Sequence, residues 1–221
     1  MSSDKYPSLA ALKDHLRKDD YRIRCLDRRS PVTIIAPHGG YIEPGTSTIA
    51  RAVAGRQYNL FDFQGLREDL AKDMHVTATR FRDPLLTQLL KSSTLAVSIH
   101  GMGNQGHTAI WLGGRNKTLK ELALLSMRAR SFEVNPDSPL YRGESPRNVV
   151  NLSAGQGVQL ELSIELMGEL FNGTSFFYPR GPKPETTDRF NALIGSIREA
   201  LKLYRATPLP AEAGDDSETA A

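Results

Sequence analysis

Hydrophobic and polar positions along the chain fall into two alternating rhythms. Leu9, Leu12 and Leu16 share one helical face, which predicts a helix from Pro7 to about Asp19 with the proline in its first turn. A short strand from Arg22 to Leu26 follows, then a turn at Arg28-Arg29-Ser30-Pro31. Val32 to Ala36 is apolar and β-branched without polar alternation, the pattern of a central strand covered on both faces. Leu95 to Ile99 repeats that pattern, and Thr108 to Leu112, closed by Gly113-Gly114, gives a third core strand. Tyr58–Phe63, Met74–Phe81, Ser131–Val134 and Gly157–Leu162 are further strand candidates. Between them lie helices from Thr48 to Ala54, Pro84 to Lys91, Asn116 to Arg130 and Ser163 to Phe171. A last helix from Asp188 to Arg205 follows a Thr187 cap, with Phe190, Leu193, Ile194, Ile197 and Leu201 inward. Helices that alternate with strands predict a three-layer α/β/α domain with a mixed, mainly parallel sheet.

Composition narrows the class. The 221 residues suffice for one sizeable domain, expected over 1–205, and the Pro-, Ala- and acid-rich stretch 206–221 is expected to be a disordered tail. That tail holds Glu212, Asp215, Asp216 and Glu218. The body therefore sets 28 basic residues against 21 acidic ones, a net +7 behind a formal +3. Such a body suits a polyanionic or carboxylate-rich partner. Nucleic acid ranks lower, because the Lys and Arg residues are scattered without aromatic interleaving. The lone Cys25 excludes a disulfide framework and a cysteine zinc site. Without an apolar leader or a membrane-length run, a cytoplasmic monomer is expected.

Candidate chemistry sits where two of the core strands end. Val32–Ala36 leads into Pro37-His38-Gly39-Gly40-Tyr41-Ile42-Glu43-Pro44-Gly45, and Leu95–Ile99 leads into His100-Gly101. In an open α/β sheet, ligands bind beyond the carboxyl ends of the strands. A lone loop histidine is more often structural. Two imidazoles and a carboxylate from neighbouring strand ends are instead the protein ligands of a catalytic zinc with one open position. His38, Glu43 and His100 are thus the candidate ligands of Zn2+, and neutral imidazoles favour zinc over magnesium or calcium. His75 and His107 are rivals for ligation or substrate contact; His15 is a surface residue. Gly101-x-Gly103-x-x-Gly106 formally matches a dinucleotide loop, but a strand rather than a helix follows it.

Glu161, between Leu160 and Leu162, is either an exposed strand residue or a carboxylate buried for a purpose. Gln159 shares its strand face. Arg80, Arg82, Arg115 and Arg147 are candidates to hold substrate carboxylates, Arg115 first because it follows Gly113-Gly114 at a strand end.

The segments Pro37–Gly45, Ser98–Gly101 and Gly157–Ser163 resemble the poly-γ-glutamate hydrolase family of phages and bacilli, as do His75–Phe81 and Asn148–Asn151. The resemblance runs from about Tyr21 to Leu170. It implies a compact zinc-carboxypeptidase-like fold, cleavage of γ-glutamyl amide bonds, His38, Glu43 and His100 as zinc ligands, and Glu161 as catalytic acid and base. On this reading Arg115, Arg80, Gln159 and His75 contact the polyanionic peptide substrate. The competing expectation is a phage replication-related nucleic-acid-binding protein without chemistry.

Overall fold

The computed structural model describes residues 4–137 and 140–206. In chain order the elements are α1 (Leu9–His15), β1 (Tyr21–Leu26), β2 (Val32–Gly40), α2 (Thr46–Ala54), β3 (Asn59–Gly65), α3 (Pro84–Lys91) and β4 (Leu95–Met102). There follow β5 (Ile110–Gly114), α4 (Lys117–Arg128), β6 (Val134–Asn135), β7 (Gly157–Ser163), α5 (Ile164–Leu170), β8 (Phe171–Asn172), β9 (Glu185–Thr186) and α6 (Asp188–Ala206). Seven strands form one sheet in the order β1-β3-β2-β4-β7-β5-β6, and β8 pairs with β9 alone. The central strands β3, β2, β4 and β7 are parallel, whereas β1 runs antiparallel to β3 and β5 antiparallel to β7.

Both faces of the sheet are covered, which is why its central strands carry no polar alternation. Val32, Ile34, Leu60, Val97, Ile99, Val158 and Leu160 pack with α2, α4, α5 and α6. Ile35, Phe61, Phe63 and Ala96 pack with α1, α3 and the segment from Met74 to Phe81. This is the expected three-layer α/β/α arrangement. Side chains cap the helices where expected: Asp83 accepts from Leu85 N–H, Asn116 from Leu119 N–H and Thr187 from Phe190 N–H. Each such cap contributes on the order of 1 kcal/mol.

Three expectations need correction. Met74–Phe81 forms turns rather than a strand, because β1 already occupies the sheet edge beside β3. Its alternation reflects the burial of Met74, Val76, Ala78 and Phe81 against the sheet face. Strands β2 and β4 also run past Ala36 and Ile99, so both histidines are borne on strands rather than on the loops after them. Likewise Gly113-Gly114 ends β5 from within. Gly113 has no room for a side chain, since a Cβ would lie 2.5 Å from the carbonyl oxygens of Tyr141 and Arg142. The expected tail begins where α6 still continues at Ala206, and its remainder, 207–221, lies outside the described residues. Among the described residues no helix is long and apolar enough to cross a membrane.

Candidate metal centre

Strict alternation along β2 would turn His38 away from Ile35, toward α2. A register shift against β3 prevents this: Ala36 pairs with Asp62 and Gly39 with Gln64, so three steps on β2 match two on β3. This extra residue is a bulge, which reverses the facing of everything after it. His38 thereby joins the α1/α3 face, with its ring edge-on to Phe81 at 5.9 Å. Gly39 now faces α2, where a Cβ would lie 2.7 Å from Asp62 Oδ1 and 2.9 Å from the Phe63 carbonyl. His100 needs no bulge, since it follows Ala96 and Ser98 on the same face of β4.

The two rings, 5.0 Å apart between centroids, meet at Glu43. Glu43 comes back toward them through a turn closed by its own N–H to the His38 carbonyl, 2.8 Å. Its Oε1 lies 2.7 Å from His38 Nδ1, and its Oε2 accepts the Gly101 N–H at 2.9 Å and lies 3.5 Å from His100 Nδ1. His38 Nε2 donates to the Val76 carbonyl at 2.8 Å, a group that can only accept. In the neutral ring this leaves Nδ1 as a lone pair aimed at a carboxylate oxygen. At 2.7 Å the two atoms share a proton, which a metal ion held by both would replace.

Electrostatics give the same picture. Burial would raise the Glu43 pKa, but His38 and His100 outweigh it and hold the carboxyl well below its usual range. Burial would lower the pKa of His38, yet the Glu43 carboxylate carries it upward. His100 Nε2 is buried without a partner, which leaves that ring free to be set by what binds its Nδ1. The donor set of two imidazoles and one carboxylate fits zinc.

Glu161 lies directly across from His100 on β7 and from Trp111 on β5, and is 6% exposed. Its Oε1 accepts from Gln159 Nε2 at 2.7 Å, and Gln159 Oε1 in turn accepts from Asn148 Nδ2 at 3.0 Å. Burial, reinforced by Glu43, pushes the Glu161 pKa up to about 8 despite the opposing pull of His100 and the Gln159 bond. Of the two sequence readings of Glu161, the buried one holds. A cavity of about 240 Å³ reaches the centre at Glu43 alone, and is otherwise bordered by Gly101, Met102, Leu162, Ile164 and Met167.

The other candidates divide. His75 lies against His38, ring centroids 4.2 Å apart, and its donor atoms fall within 4.8 Å of those of His38 and Glu43. Arg80 sits on the same segment, over half exposed, with Nη1 3.7 Å from Asp4 Oδ2. Arg115 is at the wrong end of the sheet. Because β5 runs antiparallel to β7, Trp111 is level with Glu161 while Gly114 is level with Val158. Arg115 therefore lies about 13 Å further along the strand, by four residues at ~3.3 Å each, with its N–H on Asn151 Oδ1. His107 is exposed and 3.6 Å from Glu133. Glu165, expected on a solvated face, accepts the N–H groups of Gln105 and Gly106, both at 2.9 Å, and pins the loop after β4.

Sequence reasoning assigned no role to Asp4, the Val76 carbonyl or Asn148. Val76 and Asn148 left a trace, in the segments His75–Phe81 and Asn148–Asn151. Asp4 contacts the site through long-range pairing and left none.

Comparison with known proteins shows the family. Residues 6–195 match the model of the family described as poly-gamma-glutamate hydrolase. The chain belongs to that family. A solved structure of a bacteriophage poly-gamma-glutamate hydrolase superposes with a TM-score of 0.86 at 28% identity, covering 92% of this chain and 99% of that one. A structure titled as the zinc-free form of YndL superposes with a TM-score of 0.82 at 27% identity, covering 90% of this chain and 98% of that one. The prophage-derived protein YoqZ of Bacillus subtilis (strain 168) is 36% identical over 174 residues. That match takes in 78% of this poly-γ-glutamate hydrolase family member and 63% of YoqZ, so the chain spans under two thirds of that relative's length.

Proposed function

We propose that this chain hydrolyses the γ-glutamyl amide bonds of poly-γ-glutamate, with zinc held by His38, Glu43 and His100. The observation that carries this reading is the facing of His38 Nδ1 and Glu43 Oε1 at 2.7 Å, with His100 Nδ1 beside Glu43 Oε2. When bound, zinc would polarise the scissile carbonyl and acidify the attacking water. The remaining work belongs to side chains.

Glu161 Oε1 is committed to Gln159, which leaves Oε2 for the reaction. As a carboxylate it takes a proton from the water whose oxygen bonds to the γ-carbonyl carbon. It then passes that proton to the amide nitrogen as the C–N bond breaks, releasing a carboxylic acid and an amine. Its upward-shifted pKa suits the second half of this task, and a bound cation nearby favours the first. Arg80, on the segment at the edge of the centre, is suited to hold a substrate carboxylate.

The purified protein is expected to contain one zinc per chain and to shorten poly-γ-glutamate on a gel. His38→Ala should lose both properties, whereas Glu161→Gln should keep the metal and lose about 10²- to 10⁴-fold in turnover. Retention of zinc by both His38→Ala and His100→Ala would refute the ligand assignment.

A further inference from the structure

The donor atoms of His38, Glu43 and His75 lie within 4.8 Å of one another, and His100 Nδ1 lies 3.5 Å from Glu43 Oε2, so His75 adds a fourth donor to the three proposed above, one more than a hydrolytic zinc site with an open position requires. His38 and His100 are fixed by the sheet, and Glu43 by a turn and the Gly101 N–H. His75 differs from all three. It lies on the turn segment that crosses the sheet face, its side chain is 43% exposed, and its ring is within reach of the same cation.

What positions it comes from the start of the chain. The Asp4 carboxylate is only 2% exposed. Its Oδ1 lies 3.0 Å from His75 Nδ1 and its Oδ2 accepts the Thr77 N–H at 2.9 Å. Lys5 pairs with Asp73 at 2.5 Å, so consecutive N-terminal residues clasp both ends of the 73–77 turn. Since a carboxylate only accepts, Nδ1 of His75 carries the proton, and in the neutral ring Nε2 is the bare nitrogen. A carboxylate behind an imidazole is the usual outer partner of a metal-binding histidine, where it fixes the tautomer and raises basicity. Among the ring nitrogens here, only His75 has it.

We infer that His75, oriented by Asp4, is a fourth and exchangeable donor to the metal ion, occupying the open position until substrate displaces it. The inference rests on the metal centre proposed above. It assigns Asp4 a positioning role and makes the 73–77 turn the part of the centre that moves. His38 and His100 are buried with no room to swing away, whereas the half-exposed His75 can leave by rotating on a surface turn.

The test uses the full chain loaded with zinc or with cobalt(II), titrated against a chromophoric chelator. His75→Ala and Asp4→Ala are expected to retain one ion per chain while binding it about 10- to 100-fold more weakly. The visible absorption of the cobalt form should change in His75→Ala. A γ-glutamyl peptide added to the cobalt-loaded Glu161→Gln protein, otherwise unaltered, should shift the spectrum in the same direction. Unchanged affinity and an unchanged cobalt spectrum in both His75→Ala and Asp4→Ala would overturn the inference, provided His38→Ala and His100→Ala lose the metal. If those two keep it, the centre itself is misassigned. Asp4→Ala leaves the His75 ring in the chain, so it remains informative should His75→Ala fold poorly.

Discussion

Replacing Glu161 with glutamine in metal-free protein isolates the energetic burden of this buried carboxyl. Its pKa stands near 8, against 4.5 for an unburied glutamic acid. Moving a carboxyl that far favours its protonated form by about 5 kcal/mol. Because the folded pKa is raised, the folded protein retains a proton that the unfolded chain releases above 4.5. The associated stability is therefore complete below pH 4.5 and is lost as pH rises through 8. Glutamine has no such proton and still offers an oxygen to Gln159 Nε2. The stability of Glu161→Gln relative to wild type should accordingly increase by about 3 to 4 kcal/mol between pH 5 and pH 8. Urea unfolding of both proteins with chelator present, at half-unit pH steps, measures this directly. A difference independent of pH would refute the placement of an ionisable carboxyl in this dry position. With zinc bound, the nearby positive charge holds Glu161 ionised, and the slope should shrink.

Gly39→Ala should destabilise by about 1 to 3 kcal/mol, since its Cβ meets Asp62 Oδ1 and the Phe63 carbonyl. Because the bulge aims His38, zinc affinity should fall with it, and a thermal melt with and without zinc reads both. Arg80→Ala should raise KM for the polymer with little change in kcat, while Arg115→Ala, at the far end of β5, should leave both unchanged in a steady-state assay. Chelation should lower the melting temperature reversibly. Zinc at one hundred times its Kd stabilises by about 2.7 kcal/mol, or roughly 5 to 10 °C at ~2 to 4 °C per kcal/mol, and a chelator-insensitive melt would contradict metal binding at the centre.

The sequence marked the type and the start of the central strands β2 and β4 well, and for a physical reason. Val32–Ala36 and Leu95–Ile99 are covered on both faces, so burial is written into every residue and the strands are visible without their neighbours. His38, Glu43, His100 and Glu161 were legible for the opposite reason, as polar groups at the ends of, or inside, apolar runs. What stayed hidden depends on pairing. No local pattern shows that β5 runs antiparallel to β7, and that direction alone moves Arg115 from the site to the opposite edge. The facing of His38 depends on the bulge against β3, which strict alternation contradicts. Met74, Val76 and Ala78 alternate because they sink into one face, yet alternation reports burial of every second residue and says nothing of a hydrogen-bonded neighbour. Asp4 is the extreme case, with a partner 71 residues away. The proposed ligands borne on the sheet, His38 and His100, are therefore ones that sequence could nominate. His75 was nominated as well, as a rival for ligation or substrate contact, but the long-range carboxylate that orients it emerged only from the folded chain.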